Sequence, residues 1–121
     1  MDLPIPIKRL ADALNAHDPN LVAAAFTEDY RCEVPLHPER AFTGNAQVRK
    51  NYSEIFERIP DLRAEVLRCT SDGDVSWSEW EMAGTGPDDS FAILRGVVIA
   101  TAPGGGPIAH TRFYIEPVLG G

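Results

Sequence analysis

The sequence predicts an α+β domain, with helices packed on the concave face of a curved antiparallel sheet. Two observations predict this class: apolar residues recur at helical spacing in the N-terminal half, and strand patterns separated by Gly- and Pro-rich turns fill the C-terminal half. Helices on one side of an antiparallel sheet form one of the few stable layer arrangements. A chain of 121 residues, 44% of them hydrophobic, suffices for one core, so we expect a single domain over residues 1–121.

Two helices are predicted near the N-terminus. The first runs from about Ile5 to Ala16, because apolar side chains recur every three or four residues: Ile7, Leu10, Ala11 and Leu14. Asp18 is placed to cap a second, short helix, with Pro19 at its first position. We expect this second helix to bury four apolar side chains: Leu21, Val22, Ala25 and Phe26.

The middle of the chain predicts a short strand and a long helix. One more helical turn over residues 27–29 leads into a strand over Tyr30–Leu36 and then into an irregular loop. The clearest helix of the chain covers Asn45–Arg58, capped by Thr43 or Asn45. Its apolar face consists of side chains at helical spacing: Val48, Tyr52, Ile55, Phe56 and Ile59.

The C-terminal half predicts a meander of strands. Asp72-Gly73 is a strong hairpin signal, and the connections over residues 86–90 and 103–107 are too short for a crossover. Neighbouring strands in this half should therefore be antiparallel. We expect them over Leu62–Thr70, Val75–Gly84, Phe91–Thr101 and Ile108–Val118.

The composition excludes several classes of partner. A net charge of −7 disfavours nucleic acid and anionic membrane surfaces, since both require a basic face. No apolar run is long enough to span a bilayer and the N-terminus lacks a secretory pattern, so we expect a cytoplasmic protein. Cys32 and Cys69 are interpreted as free thiols rather than a disulfide. No cluster has the spacing of metal ligands, so neither a metal nor another cofactor is expected.

Several short motifs resemble the NTF2-like superfamily, in its SnoaL-like branch. They are Leu21–Tyr30, Phe42-Thr43-Gly44 before the long helix, Glu79-Trp80 ahead of Gly84-Thr85, Arg95-Gly96-Val97, and Arg112–Glu116 on the last strand. The resemblance spans nearly the whole chain and implies an NTF2-like cone, usually a homodimer, with a pocket at its wide end. The superfamily includes ketosteroid isomerases, epoxide hydrolases, polyketide cyclases, dehydratases and non-catalytic binding proteins, so the resemblance implies no single activity.

Two of these activities lack their residue pattern here. Ketosteroid isomerases carry a catalytic Asp near the end of the first strand, where this chain has Pro35. Epoxide hydrolases place an Arg between two Asp residues, whereas the strand after Val75 carries Glu79 and Glu81.

Arg95 and His37 are the candidate catalytic residues. Arg95 shares a strand face with apolar side chains, where an unpaired cation is costly, so it either pairs with Glu79 or Glu81 or binds an anionic group of a ligand. His37 lies just past the first strand, where the resemblance implies the pocket mouth. It is either a general base or acid near neutral pH or an ordinary surface histidine.

The alternation of side chains along each strand sorts the remaining candidates. Trp80 forms either a pocket wall or part of the core, while Glu79 and Glu81 face the other side. On the last strand, Phe113 should face the helices. We predict contacts with a bound molecule from Trp80, Glu79, Tyr52 and Phe113, and an interface or ion-pair network formed by Glu81, Arg112, Tyr114 and Glu116.

These observations predict a homodimer that binds a small hydrophobic molecule in the cone. If the protein is an enzyme, we expect cofactor-independent isomerisation, cyclisation, or addition or removal of water. His37 would act as base or acid and Arg95 would stabilise developing negative charge. The alternative is a non-catalytic dimerisation or protein-interaction module that uses the polar face of the last strand.

Overall fold

The structure is a computed structural model that describes residues 2–118. Three α-helices lie in these residues: α1 (Ile5–Asn15), α2 (Pro19–Ala24) and α3 (Asn45–Arg58). They accompany one curved sheet with these strands: β1 (Phe26–Glu33), β2 (Phe42–Thr43), β3 (Arg63–Asp72), β4 (Val75–Thr85), β5 (Phe91–Thr101), β6 (Ile108–Phe113) and β7 (Glu116–Pro117). The predicted α+β class is confirmed.

The strands follow the order β2-β1-β6-β5-β4-β3, with β7 pairing with β5. The pairs β3–β4, β4–β5 and β5–β6 are antiparallel, which confirms the predicted meander. The expectation of a wholly antiparallel sheet is wrong at one place, because β1 pairs with β6 in parallel. The long connection through α3 separates β1 from the meander, so no hairpin constrains its direction.

The prediction was least accurate around β1. Residues 27–29 belong to the strand rather than to a helical turn, because Phe26 already pairs with Ile108 and the Ile108 amide donates to the Ala25 carbonyl at 2.9 Å. Pairing with β6 thus outweighs the local helical preference. At the other end the strand stops at Glu33, so the predicted extension to Leu36 is wrong and that side chain is 62% exposed.

The positions of the helices were predicted more accurately than the cap of α3 and the burial of individual side chains. The bounds of α3 match, and Asp18 caps α2 by accepting hydrogen bonds from the Asn20 and Leu21 amides at 2.9 and 3.3 Å. The predicted side-chain cap of α3 is wrong, since Gly44 occupies that position with φ +97°. Leu21, predicted to be buried, is 51% exposed.

The core lies between the helices and one face of the sheet, which we call the inner face. Its most deeply buried large side chains come from the helices, the strands and the segment before β3: Ile7, Leu14, Val22, Leu62, Trp80 and Ile108. Along β4 the burial alternates, so that Trp80 is 1% exposed while Trp77, on the outer face, is 53% exposed. The Trp80 indole donates to the Ser78 hydroxyl at 2.8 Å, so its polar atom is satisfied inside the core.

Gly96 shapes the C-terminal end of the sheet. A side chain at this position of β5 would overlap the Tyr114 carbonyl oxygen, and its Cβ would lie 2.7 Å from the Ile115 Cα. The missing side chain lets the segment between β6 and β7 cross directly over β5. As a result the predicted continuous last strand is interrupted at Tyr114 and Ile115, and Ile115 is pressed into the interior at 8% exposure.

Candidate functional site

A cavity of about 250 Å³ lies between α3 and the inner face of the sheet. Most of its wall is apolar or aromatic, contributed by Phe26, Val34, Phe42, Val48, Ile55, Phe113 and Ile115. Its polar members are few: Tyr30, Cys32, Arg40, Asn51 and Tyr52. An apolar cavity with a small number of convergent polar groups is typical of a small-molecule site.

A larger concavity of about 550 Å³ lies elsewhere, over α1 and α2. It is an open groove along the helix surface, bordered by exposed apolar side chains such as Ile5 and Leu21. Its shape would leave most of a small molecule in contact with water. We therefore place the candidate site in the smaller, better enclosed cavity.

Tyr30 lines the cavity and forms a buried hydrogen-bonded pair with Thr111. Their hydroxyl oxygens are 2.5 Å apart, and the two residues are 3% and 2% exposed. Burial is the main cause that raises the pKa of Tyr30 far above its ordinary value, with the nearby Cys32 adding to it. Tyrosine is ordinarily neutral at physiological pH, and the raised pKa keeps this phenol neutral into more alkaline solution, so it acts as a hydrogen-bonding group rather than as a base.

Tyr52 adds a second phenol from α3. Burial, followed by the proximity of Cys32, raises the pKa of Tyr52 to about 12. Among residues 2–118 its hydroxyl has no hydrogen-bond partner within reach, although it lines the cavity. This group can therefore donate to an oxygen of a bound molecule.

Arg40 and Asn51 lie where the cavity meets solvent. Arg40 is an exposed residue that nevertheless contributes to the cavity wall, and it is the only charged side chain among the described residues that do so. The Asn51 side-chain oxygen accepts a hydrogen bond from the Gln47 amide at 2.8 Å. The amide nitrogen of Asn51 then remains free to donate.

His37 stabilises the turn that carries Arg40. Its Nε2 lies 2.8 Å from a Glu116 carboxylate oxygen, and its carbonyl accepts from the Arg40 amide at 2.9 Å. His37 does not itself line the cavity. His37 therefore connects this turn to β7 through its contact with Glu116.

Arg95 lies on the outer face of the sheet. Its Nε donates to a Glu81 carboxylate oxygen at 2.6 Å, which is one of the two pairings that the sequence left open. Glu79 lies on the same face, 3.7 Å from the Arg68 guanidinium. The cavity is on the other side of the sheet, so neither Arg95 nor Glu79 lines it.

Of the four predicted ligand contacts, Tyr52 and Phe113 line the cavity. Trp80 belongs to the neighbouring core and is not part of the cavity wall. The structure therefore brings two predicted contacts together and separates them from the other two and from Arg95.

The polar face of the last strand forms an ion-pair network within the chain. Glu33 accepts hydrogen bonds from His110 at 2.9 Å and from Arg112 at 3.1 Å. The bond from His110 is the main cause that lowers the pKa of Glu33. Arg112 also donates to the Tyr114 hydroxyl at 3.3 Å, and Glu116 contacts His37.

Apart from Tyr52, sequence reasoning missed the polar members of the cavity wall: Tyr30, Cys32, Arg40 and Asn51. For Tyr30 and Cys32 a signal existed, since alternation along β1 puts both on the face of the buried Val34. Arg40 carried no signal, because it lies in an irregular loop. Within residues 2–118, no group of three or more His, Cys, Asp or Glu side chains is placed to hold a metal ion, and each helix is too short or too polar to cross a membrane.

This curved sheet, with a long helix over a cavity on its inner face, defines the NTF2-like class of cone folds. The model of the SnoaL-like domain family matches residues 7–111. The chain therefore belongs to the SnoaL-like family. No curated protein sequence matches it.

Solved structures show the same fold at low sequence identity. A protein with a ketosteroid isomerase-like fold from Catenulispora acidiphila, in complex with trimethylamine, superposes with a TM-score of 0.80 at 16% identity, covering 93% of this chain and 87% of that one. The BvnE pinacolase from Penicillium brevicompactum superposes with a TM-score of 0.83 at 12% identity, covering 96% of this chain and 88% of that one. An NTF2-like protein of unknown function from Exiguobacterium superposes with a TM-score of 0.73 at 17% identity, covering 93% of this chain and 98% of that one.

Proposed function

We propose that this protein binds a small, mostly apolar molecule with a hydrogen-bond acceptor in the cavity beneath α3. The observation that carries the proposal is the cavity itself: its largely apolar wall includes the neutral phenols of Tyr30 and Tyr52. An apolar ligand body gains from burial there, and its oxygen or nitrogen atom would satisfy the hydroxyl donors.

The size of the cavity limits the ligand. At about 250 Å³ it is slightly smaller than the roughly 300–1,000 Å³ of pockets for drug-sized molecules. A single aromatic ring with a short substituent, or a comparable aliphatic compound, is the expected scale. The trimethylamine complex of the Catenulispora protein shows that a related fold takes up a small molecule.

If the cavity also performs chemistry, its geometry favours polarisation of a bound carbonyl. The two phenols would donate hydrogen bonds to the carbonyl oxygen and stabilise negative charge that develops on it. Such support suits the cofactor-independent isomerase, cyclase or dehydratase reactions that the family resemblance implies. The roles predicted for His37 as acid or base and for Arg95 as charge stabiliser stay predictions, and neither residue lines the cavity.

A thermal-shift screen with small aryl ketones tests ligand binding. A ligand at about 100 times its dissociation constant adds roughly 2.7 kcal/mol to the free energy of unfolding, which raises the melting temperature measurably. Ile55→Trp should fill the cavity and abolish the shift, whereas Glu54→Trp, on the exposed side of the same helix, should preserve it. Equal shifts in both variants, or none in the natural protein, would refute binding in this cavity.

Homodimerisation is a second proposal, supported by the outer face of the sheet. Trp77 and Phe91 are 53% and 71% exposed on this face, and the strand register places the ion pair of Arg95 and Glu81 between them. Large exposed apolar side chains among charges are typical of an interaction surface. Sedimentation equilibrium should give a dimer, and Trp77→Lys should shift it to a monomer. A dimer that takes up no small molecule would favour the non-catalytic interaction module.

A further inference from the structure

We propose that the molecule bound in the cavity carries a carboxylate at one end, and that Arg40 binds this carboxylate at the cavity mouth. The inference rests on the proposed function, because it names the class of molecule that the cavity takes. The ligand class is a small amphipathic acid: an apolar body seated beneath α3 and an anionic group directed toward solvent.

The charge distribution around the cavity supports this assignment. Arg40 is the only charged side chain among the described residues of the cavity wall. It has no carboxylate within ion-pair distance in the described part of the chain, whereas four of the five arginines in the strands are paired: Arg31 and Arg112 with Glu33, Arg68 with Glu79, and Arg95 with Glu81. In a protein with a net charge of −7, an unpaired guanidinium at a cavity mouth is a local attraction for an anion.

The turn that carries Arg40 is held in place before any ligand binds. Its backbone hydrogen bonds are those of a tight turn: the Arg40 amide donates to the His37 carbonyl at 2.9 Å and the Ala41 amide donates to the Pro38 carbonyl at 3.2 Å. The contact between His37 and Glu116 ties the turn to the sheet. Preorganisation of this kind reduces the conformational cost of binding.

The donor chemistry of the mouth matches a carboxylate. A guanidinium presents several N–H groups in a planar fork that fits two carboxylate oxygens. Asn51, on the same wall, has its oxygen engaged by Gln47 and its amide nitrogen free to donate. The interior offers only neutral groups, because Arg40 is the only charged side chain of the described wall and tyrosines are protonated at physiological pH even before burial raises their pKa values. An anionic group is therefore favoured at the mouth and disfavoured in the interior.

Isothermal titration calorimetry with a matched pair of probes tests the inference. The probes are 3-phenylpropanoate and 3-phenylpropanamide, which share an apolar body and differ in charge at one end. On the natural protein the acid should bind up to about tenfold more tightly than the amide, because a hydrogen bond from a guanidinium to a carboxylate is stronger than one to a neutral amide. Added salt should weaken binding of the acid and leave that of the amide nearly unchanged.

Arg40→Gln should remove this preference, and Arg49→Gln is the matched control. Arg49 is also exposed and lies near Asn51 on α3, but it does not line the cavity. The Arg40 variant should lose about tenfold in affinity for the acid and keep its affinity for the amide, while the Arg49 variant should keep both affinities. Both substitutions are at exposed positions, and circular dichroism verifies that the variants are folded.

Different results separate this inference from the proposed function. If acid and amide bind equally well to the natural protein, or if both variants lose the preference to the same extent, the role of Arg40 is refuted and cavity binding stands. If neither probe binds and the aryl ketones also fail, the cavity is not a binding site and both proposals fall.

Discussion

The two faces of the sheet differ in burial and in charge, although the same strands form both. On the inner face, Trp80 and Thr111 are almost completely buried, and their polar atoms are hydrogen-bonded to Ser78 and Tyr30. On the outer face, Glu81, Arg95 and Arg112 are charged and remain in contact with water. The cavity lies on the inner face, and apart from Arg40 the side chains that line it are uncharged.

This difference explains why charge is a poor guide to the site in this protein. Burying an unpaired charge costs far more than burying a hydrogen-bonded hydroxyl, so charged side chains concentrate on the outer face. Arg95 and Glu79 attract attention in the sequence because they are charged, yet that property places them away from the cavity. Tyr30 attracts none, yet it lines the cavity and is hydrogen-bonded to the buried Thr111.

The largest contrast between the faces is expected from the two tryptophans of β4. Trp80→Ala should lower the free energy of unfolding by about 3–5 kcal/mol, because it leaves a large cavity in the core. Trp77→Ala should change it by about 0.5 kcal/mol or less, as for other exposed positions. Urea denaturation followed by circular dichroism measures both. Similar losses would break the distinction between the faces, and a loss at Trp77 that depends on protein concentration would reveal subunit contact there.

Alkaline pH should destabilise the inner face through Tyr52. Its folded pKa of about 12 exceeds the ordinary value of 10.0, so between these pH values the unfolded state releases a proton that the folded state retains. Tyr52 should therefore contribute fully to stability below pH 10 and lose about 2–3 kcal/mol as the pH rises toward 12, and Tyr30, whose pKa is also raised, should add to the fall. Urea denaturation at pH 9 and pH 11 measures the fall, and Tyr52→Phe should show a smaller one. An equal fall in both proteins would contradict the assigned pKa.

The Tyr30–Thr111 pair offers a smaller effect on the same face. Tyr30→Phe and Thr111→Val should each lower the free energy of unfolding by about 1–3 kcal/mol, because each leaves a buried hydroxyl without its partner. The double variant should cost less than the sum of the two, since it removes both hydroxyls together. A double-mutant cycle by chemical denaturation measures the coupling. Strict additivity would show that the two hydroxyls do not act as a pair.

The smallest effect should come from the ion pairs of the outer face. Arg95→Gln breaks the 2.6 Å contact with Glu81, and we expect a loss below about 1 kcal/mol that shrinks further in high salt. Arg68→Gln is the control, because its contact with Glu79 is longer, at 3.7 Å, and its side chain is 88% exposed. Thermal denaturation at low and high salt compares the two. A loss at Arg95 as large as that at Trp80 would erase the contrast between the faces.

Elements with strong local signals were predicted well. The bounds of α3 and β5 match the structure, since a long apolar periodicity and turn residues at both ends specify them locally. The start of β1 was predicted wrongly because its pairing partner, Ile108, is far away in the chain. The cap of α3 was missed because the decisive residue is Gly44, whose contribution is a backbone conformation rather than a hydrogen bond.

The candidate site was predicted only in part, for a related reason. Tyr52 and Phe113 were expected on the helix-facing side and do line the cavity, because periodicity within one element determines which way a side chain faces. The hydroxyl pair of Tyr30 and Thr111 joins residues 81 positions apart, and no local pattern reports on such a contact.

Local sequence patterns were sufficient for the class of the fold, the meander and the sorting of side chains between the two faces of each strand. Those features depend on periodicity and turn chemistry, which act over a few residues. Only the packing of the whole chain decided that β1 runs parallel to β6, that Arg40 reaches the cavity and that Arg95 faces away from it. The reason is that a cavity is the space left between elements distant in sequence, and its lining depends on how they pack together.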